Sequence, residues 1–242
     1  TYYIMVESAR NGEGTFKLCL DEFNPVPNPE SDCRSGVVLC DKSSFKVESL
    51  TGAGKDVNEI ERGSCIGEEF QSAWYKWTCD KSGTLTFTLT PNDYVNRNRI
   101  TDDLDFAVYE LPNGIDNCEG KIVLRCMASG ANGTNGGTNP LSDWIDCNGP
   151  TGLRIGEHDI VEYAGCARGD NNFIKELEMV SGKSYALIVN NFTREGRGFS
   201  IEFGGTGTFL GPNPDFEINA NNVFECDKSV LITNKSTSET DP

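Results

Sequence analysis

Residues 1–20 repeat the pattern of residues 184–203, and this constrains the fold more than any single motif. A shift of 183 positions lays Thr1-Tyr2-Tyr3-Ile4-Met5-Val6 on Ser184-Tyr185-Ala186-Leu187-Ile188-Val189. The same shift lays Thr15-Phe16-Lys17-Leu18-Cys19-Leu20 on Gly198-Phe199-Ser200-Ile201-Glu202-Phe203 without a gap. A second shift, of 186, brings Cys40-Asp41-Lys42-Ser43 onto Cys226-Asp227-Lys228-Ser229. Self-similarity at a long, near-constant period is the mark of a modular array. Residues 1–23 therefore read as the last strands of one module and 36–211 as a complete module. Residues 223–242 read as the start of a third, with a Pro-rich linker over 24–35 and a second linker over 212–222. A chain that starts at Thr1 is what a length cut from such an array would look like, with any export signal lying upstream.

The complete module has the length to bury its own core. Its strand signal is alternation: Leu85, Phe87 and Leu89 are interleaved with Thr84, Thr86, Thr88 and Thr90. Leu104, Phe106 and Val108, then Tyr185, Leu187 and Val189, then Phe199, Ile201 and Phe203 repeat it. Residues 73–77 and 121–125 complete a set of short strands, and alternation along the former sends Tyr75 and Trp77 to one face and Trp74 to the other. Over 172–180 a strand and hairpin are favoured above a short helix. Many short strands with turn residues between them predict an all-β chain, a jelly-roll or CUB-like β-sandwich within a tandem array.

Ten cysteines with a single histidine and no Cys-x-x-Cys argue for disulfides made in an oxidising, extracellular compartment and against zinc. Spacing favours Cys118 with Cys126 and Cys147 with Cys166, then Cys40 with Cys65 and Cys19 with Cys33. Cys79 and Cys226 remain, the latter for a partner in the next module. The formal charge of −16 repels phosphate backbones and anionic lipid, which excludes nucleic acid and direct membrane insertion as partners. Neighbouring modules of the same chain, surface glycans and other cell-surface proteins remain. Glycosylation sequons stand at Asn132, Asn191 and Asn234.

Catalytic signatures are lacking. His158 has no nucleophile elbow to serve and reads as a surface-loop histidine. Gly52-Ala53-Gly54-Lys55-Asp56 lacks the spacing of a phosphate loop and reads as a turn. The chain is therefore expected not to be an enzyme. Trp144, outside any strand pattern, is the residue expected to stack on a sugar ring.

The order Glu69-Phe70-Gln71-Ser72-Ala73-Trp74-Tyr75-Lys76-Trp77, Ser82-Gly83-Thr84-Leu85-Thr86-Phe87, Asp103-Leu104-Asp105-Phe106-Ala107-Val108-Tyr109 and Ser181-Gly182-Lys183-Ser184-Tyr185-Ala186-Leu187-Ile188-Val189 resembles a known progression. It is that of secreted jelly-roll modules related to bacterial pre-peptidase C-terminal domains and CUB domains. Such modules occur in large cell-surface proteins of gliding Bacteroidota exported by the type IX secretion system, often beside PKD-like modules. The resemblance covers 36–204 and 1–20, apart from a long insertion between Cys126 and Tyr163. It implies a structural, adhesive role. It also implies calcium, held by a Glu and two Asp at positions matching Glu69, Asp103 and Asp105, because a hard dication takes six to eight oxygens. The loop Asp170-Asn171-Asn172 is a second candidate for calcium. The competing functions are an ancillary module of a secreted hydrolase and a dedicated carbohydrate-binding module.

Overall fold

A computed structural model describes residues 30–57, 59–60, 64–130 and 140–211, and the backbone of 216–219 and 231–234. The chain is all-β, with two mixed sheets facing one another. Its strands are β1 (Val37–Val38), β2 (Phe45–Val47), β3 (Ser72–Thr78), β4 (Gly83–Pro91), β5 (Leu104–Leu111), β6 (Ile122–Ser129) and β7 (Thr151–Arg154). They continue with β8 (Val161–Gly165), β9 (Phe173–Lys175), β10 (Leu177–Met179), β11 (Ser184–Asn191) and β12 (Phe199–Gly204). A separate antiparallel pair joins β13 (Phe216–Asn219) to β14 (Leu231–Asn234). Among the described residues no helix is long and apolar enough to cross a membrane.

The first sheet runs β1-β3-β11-β5-β6-β8 and the second β2-β12-β4-β7-β9, with β10 alongside β4. Alternation along β4 turns Leu85, Phe87 and Leu89 inward and leaves the threonines between them half-exposed, so one face of this sheet meets solvent. Inward residues of both sheets make the main core. Phe87 meets Phe106 edge-on at 5.0 Å, and Trp77 stacks between Tyr185 and Phe209.

The first sheet differs because both of its faces are covered. Every residue of β11 is buried, as is nearly every residue of β3 and β5. Tyr75 and Trp77 lie in the main core, while Trp74 joins a second cluster on the outer face with Tyr109, Leu111, Ala107 and Ile188. Its cover is the irregular chain that precedes β3: Cys33, Cys65 and Ile66 pack there. A covered sheet face under non-repetitive backbone needs other restraints. The Trp74 N–H donates to the Glu30 carbonyl at 2.7 Å, the Ser31 hydroxyl donates to the Ser72 carbonyl, and the Lys76 ammonium donates to the Arg34 carbonyl. Residues 30–35, placed by sequence in a linker, therefore belong to the folded body.

Two disulfides fasten this cover, Cys33–Cys118 and Cys65–Cys126, and a third, Cys147–Cys166, closes the insertion. The third agrees with the spacing argument; the others correct it. Cys118 is bonded to Cys33 and Cys126 to Cys65, which removes the Cys118–Cys126 pair; four residues of extended β6 lead up to Cys126, each adding about 3.3 Å. Cys65 is taken by Cys126, which removes the Cys40–Cys65 pair, and Cys33 by Cys118, which removes Cys19–Cys33. Cys19, like Cys226, lies outside the described residues.

The 172–180 segment also departs from a hairpin. β9 pairs in parallel with β7, β10 pairs with β4, and the 181–183 turn crosses from the second sheet to the first instead of reversing within one. The Tyr185 hydroxyl accepts from the Val180 N–H and fixes that crossing.

Candidate binding pocket

At the end of the first sheet, on its outer face, the chain leaves a pocket of about 400 Å³. Asp103 and Asp105 enter it from one face at the start of β5, two residues apart as strand alternation requires. Ala128 of β6 and Ala164 of β8 add short side chains, the 65–70 crossing segment contributes Cys65, Gly67, Glu68 and Phe70, and Phe192 follows β11. Phe70 and Phe192 meet edge to face at 5.7 Å, and the Arg194 guanidinium stacks on Phe70 at 3.7 Å from its centroid.

The acidic side chains are held by a polar shell. The Asn190 amide oxygen accepts from the Phe70 N–H at 2.8 Å, and its NH2 donates to the Glu68 carbonyl at 3.2 Å, tying the crossing segment to β11. Asn190 also hydrogen-bonds the Asp105 carboxyl. Asp105 is 4 % exposed; burial, with the adjacent Asp103 charge, pushes its carboxyl well above the usual carboxylate range against that hydrogen bond. Gly130 lies directly against the Asp103 carboxylate, where a Cβ would overlap it. The Thr193 hydroxyl accepts from the Asp103 N–H, and the Phe192 N–H donates to the Asp103 carbonyl.

Glu69, the third carboxylate of the resemblance, points elsewhere. Its Oε1 accepts from the Ser72 hydroxyl at 2.5 Å, and the carboxyl lies beside the Trp74 side chain and near Glu59 and Asp32. Desolvation raises its carboxyl to about 7. Its neighbour Glu68 lines the pocket instead. Among the described residues no three His, Cys, Asp or Glu side chains are grouped to hold a metal ion. Of the three carboxylates implied for calcium, Asp103 and Asp105 line the pocket and Glu69 does not.

The other candidates are engaged in architecture. Trp144 is buried, 7 % exposed, within the turns that lead to Cys147, so it presents no open ring face to a sugar. In the 170–172 loop, Asp170 accepts from the Ala167 N–H and Asn171 from the Phe173 N–H. The Asn172 NH2 donates to the Gly149 and Pro150 carbonyls. Beneath them the buried Glu162 accepts from the Ser129 hydroxyl and from the backbone N–H groups of Asn171 and Asn172. Asn191 of the second sequon is fully buried: its NH2 donates to Asp102 at 2.8 Å and its oxygen accepts from the Thr193 hydroxyl. An amide so engaged is closed to glycosylation. The side chains of Asn132 and Asn234 lie outside the described residues. His158 is exposed in the loop before β8.

Sequence reasoning missed Phe70, Phe192 and Glu68. The signal for Phe192 was its place directly after an alternating strand, where it was read only as the middle of a sequon. Comparison with protein-family models, with curated proteins and with solved structures finds no match for this chain.

Proposed function

We propose that this chain is a length of a modular array of jelly-roll β-sandwiches with a structural and adhesive role. Its parent would be a large secreted or cell-surface protein of the gliding, type IX-secreting kind that the resemblance implies. The observation that carries the reading is the doubly covered sheet, whose outer cover is fastened by two long-range disulfides. The disulfides Cys33–Cys118, Cys65–Cys126 and Cys147–Cys166 suit an oxidising extracellular setting. The buried carboxylates Asp102 and Glu162 serve as hydrogen-bond hubs between loops, which suits a module that must keep its shape more than one that turns over substrate.

Beads coated with the full chain and held under flow on polysaccharide or cell-coated surfaces test this. Retention above beads bearing an unrelated acidic protein is expected, with no turnover of peptide, ester or glycoside substrates. Turnover would replace the reading with that of a hydrolase module. Thermal unfolding with calcium and with EGTA, repeated on Asp103→Ala, tests the calcium that the resemblance implies: a calcium-dependent shift lost in the variant would support it, and coincident curves would retire it.

A further inference from the structure

The pocket at the end of the first sheet has chemistry that a spacer does not need. Two carboxyl groups, Asp103 at 8 % and Asp105 at 4 % exposure, stand on its inner wall, where burial of like charges costs stability. Two phenyl rings, Phe70 and Phe192, line the pocket as well, at 5.7 Å from one another, and both residues are half-exposed. Ala128 and Ala164 keep the remaining wall low, and Glu68 stands exposed at the rim. The volume, about 400 Å³, is far larger than a bare ion needs and falls in the range of small-molecule sites.

Carboxylates beside aromatic rings and small apolar groups suit one ligand class. A hard dication takes oxygen ligands and gains little from phenyl faces. An alkylammonium group gains from both, because its charge pairs with carboxylate and its carbon stem and N–CH groups pack on ring faces. Phe70 is held in place: the Arg194 guanidinium stacks on its ring, and the Asn190 side chain accepts from its backbone N–H. A chain of net charge −16 draws cations toward it.

We propose that this pocket binds an alkylammonium group, on a free amine or on a lysine side chain, with Asp103 and Asp105 holding the nitrogen and Phe70 and Phe192 flanking the stem. The site is independent of the adhesive reading, which stands or falls on retention under flow. The test is calorimetric or NMR titration of the full chain with n-butylammonium, Nα-acetyl-lysine amide, the neutral isostere n-butanol, and calcium. Saturable binding of the ammonium probes without binding of butanol is expected, weakened about tenfold or more by Asp103→Asn and by Phe192→Ala, in keeping with about 1.4 kcal/mol per decade. Equal affinity for the two probes would assign the free amine; tighter binding of the lysine derivative would assign a protein side chain. If Asp103→Asn fails to fold by circular dichroism, Phe192→Leu and Asp105→Asn take its place. Absence of saturable ammonium binding, binding unchanged in the folded variants, or calcium binding there while the ammonium probes do not bind would each overturn the proposal.

Discussion

Glu69 shows how a single buried group colours the behaviour of the whole chain. It is 5 % exposed, and burial, with the nearby Glu59 and Asp32 charges, raises its folded pKa from 4.5 to about 7 against the hydrogen bonds from Ser72 and Trp74. With the folded value above the unfolded one, the native state binds the extra proton between those limits. Stability therefore falls as pH rises through that window, and the penalty is fully present above it. At 1.36 kcal/mol per unit the full effect is about 3 kcal/mol. Glu59, Asp105 and Glu162 are shifted in the same direction. Denaturation midpoints measured between pH 4.5 and 8 should decline toward alkaline pH, and Glu69→Gln should flatten that slope. Parallel curves for the two proteins would contradict the assignment. The alternation that pairs Asp103 with Asp105 is legible in the sequence, because strand period fixes it. Glu69 was misplaced because the rule lapses before β3 begins, where the chain turns one carboxylate into the pocket and the next toward Ser72.

At the scale of elements, β4 and β3 differ in how far sequence alone could read them. The Leu85-Phe87-Leu89 row is a half-buried strand by pattern and by structure, and Phe87→Ala should cost about 3–5 kcal/mol in chemical denaturation. For β3, alternation placed Tyr75 and Trp77 opposite Trp74 correctly. It could not reveal that both faces are dry, since the cover comes from irregular chain with no periodicity to read. That cover depends on its bridges. Cys33→Ser and Cys65→Ser should each cost about 2–5 kcal/mol. Amide exchange should rise first at residues 30–36 and 64–71, leaving β4 and β12 protected. Uniform loss of protection would mean that cover and sandwich unfold as one unit. Close backbone approach gives a further test. Gly198, at φ 72°, lies where a Cβ would strike the Val47 carbonyl, so Gly198→Ala should destabilise the β2–β12 pairing measurably.

Across the whole molecule, the bridges Cys33–Cys118 and Cys65–Cys126 span separations of 85 and 61 residues and overlap in sequence. Each joins a cysteine that precedes β3 to one that follows β5, so the order of these pairs was hidden from any argument based on nearest spacing. The feature also bears on how the chain is made. Emerging in sequence order, it exposes Cys33 and Cys65 before the partner of either exists. Oxidation of Cys33 or Cys65 at that point could only give a non-native bridge. The native pattern therefore favours a biogenesis in which thiols stay reduced until β6 has been synthesised and the first sheet has formed. A chain of this design suits a route that completes the polypeptide before exposing it to oxidant, or one supplied with an isomerase.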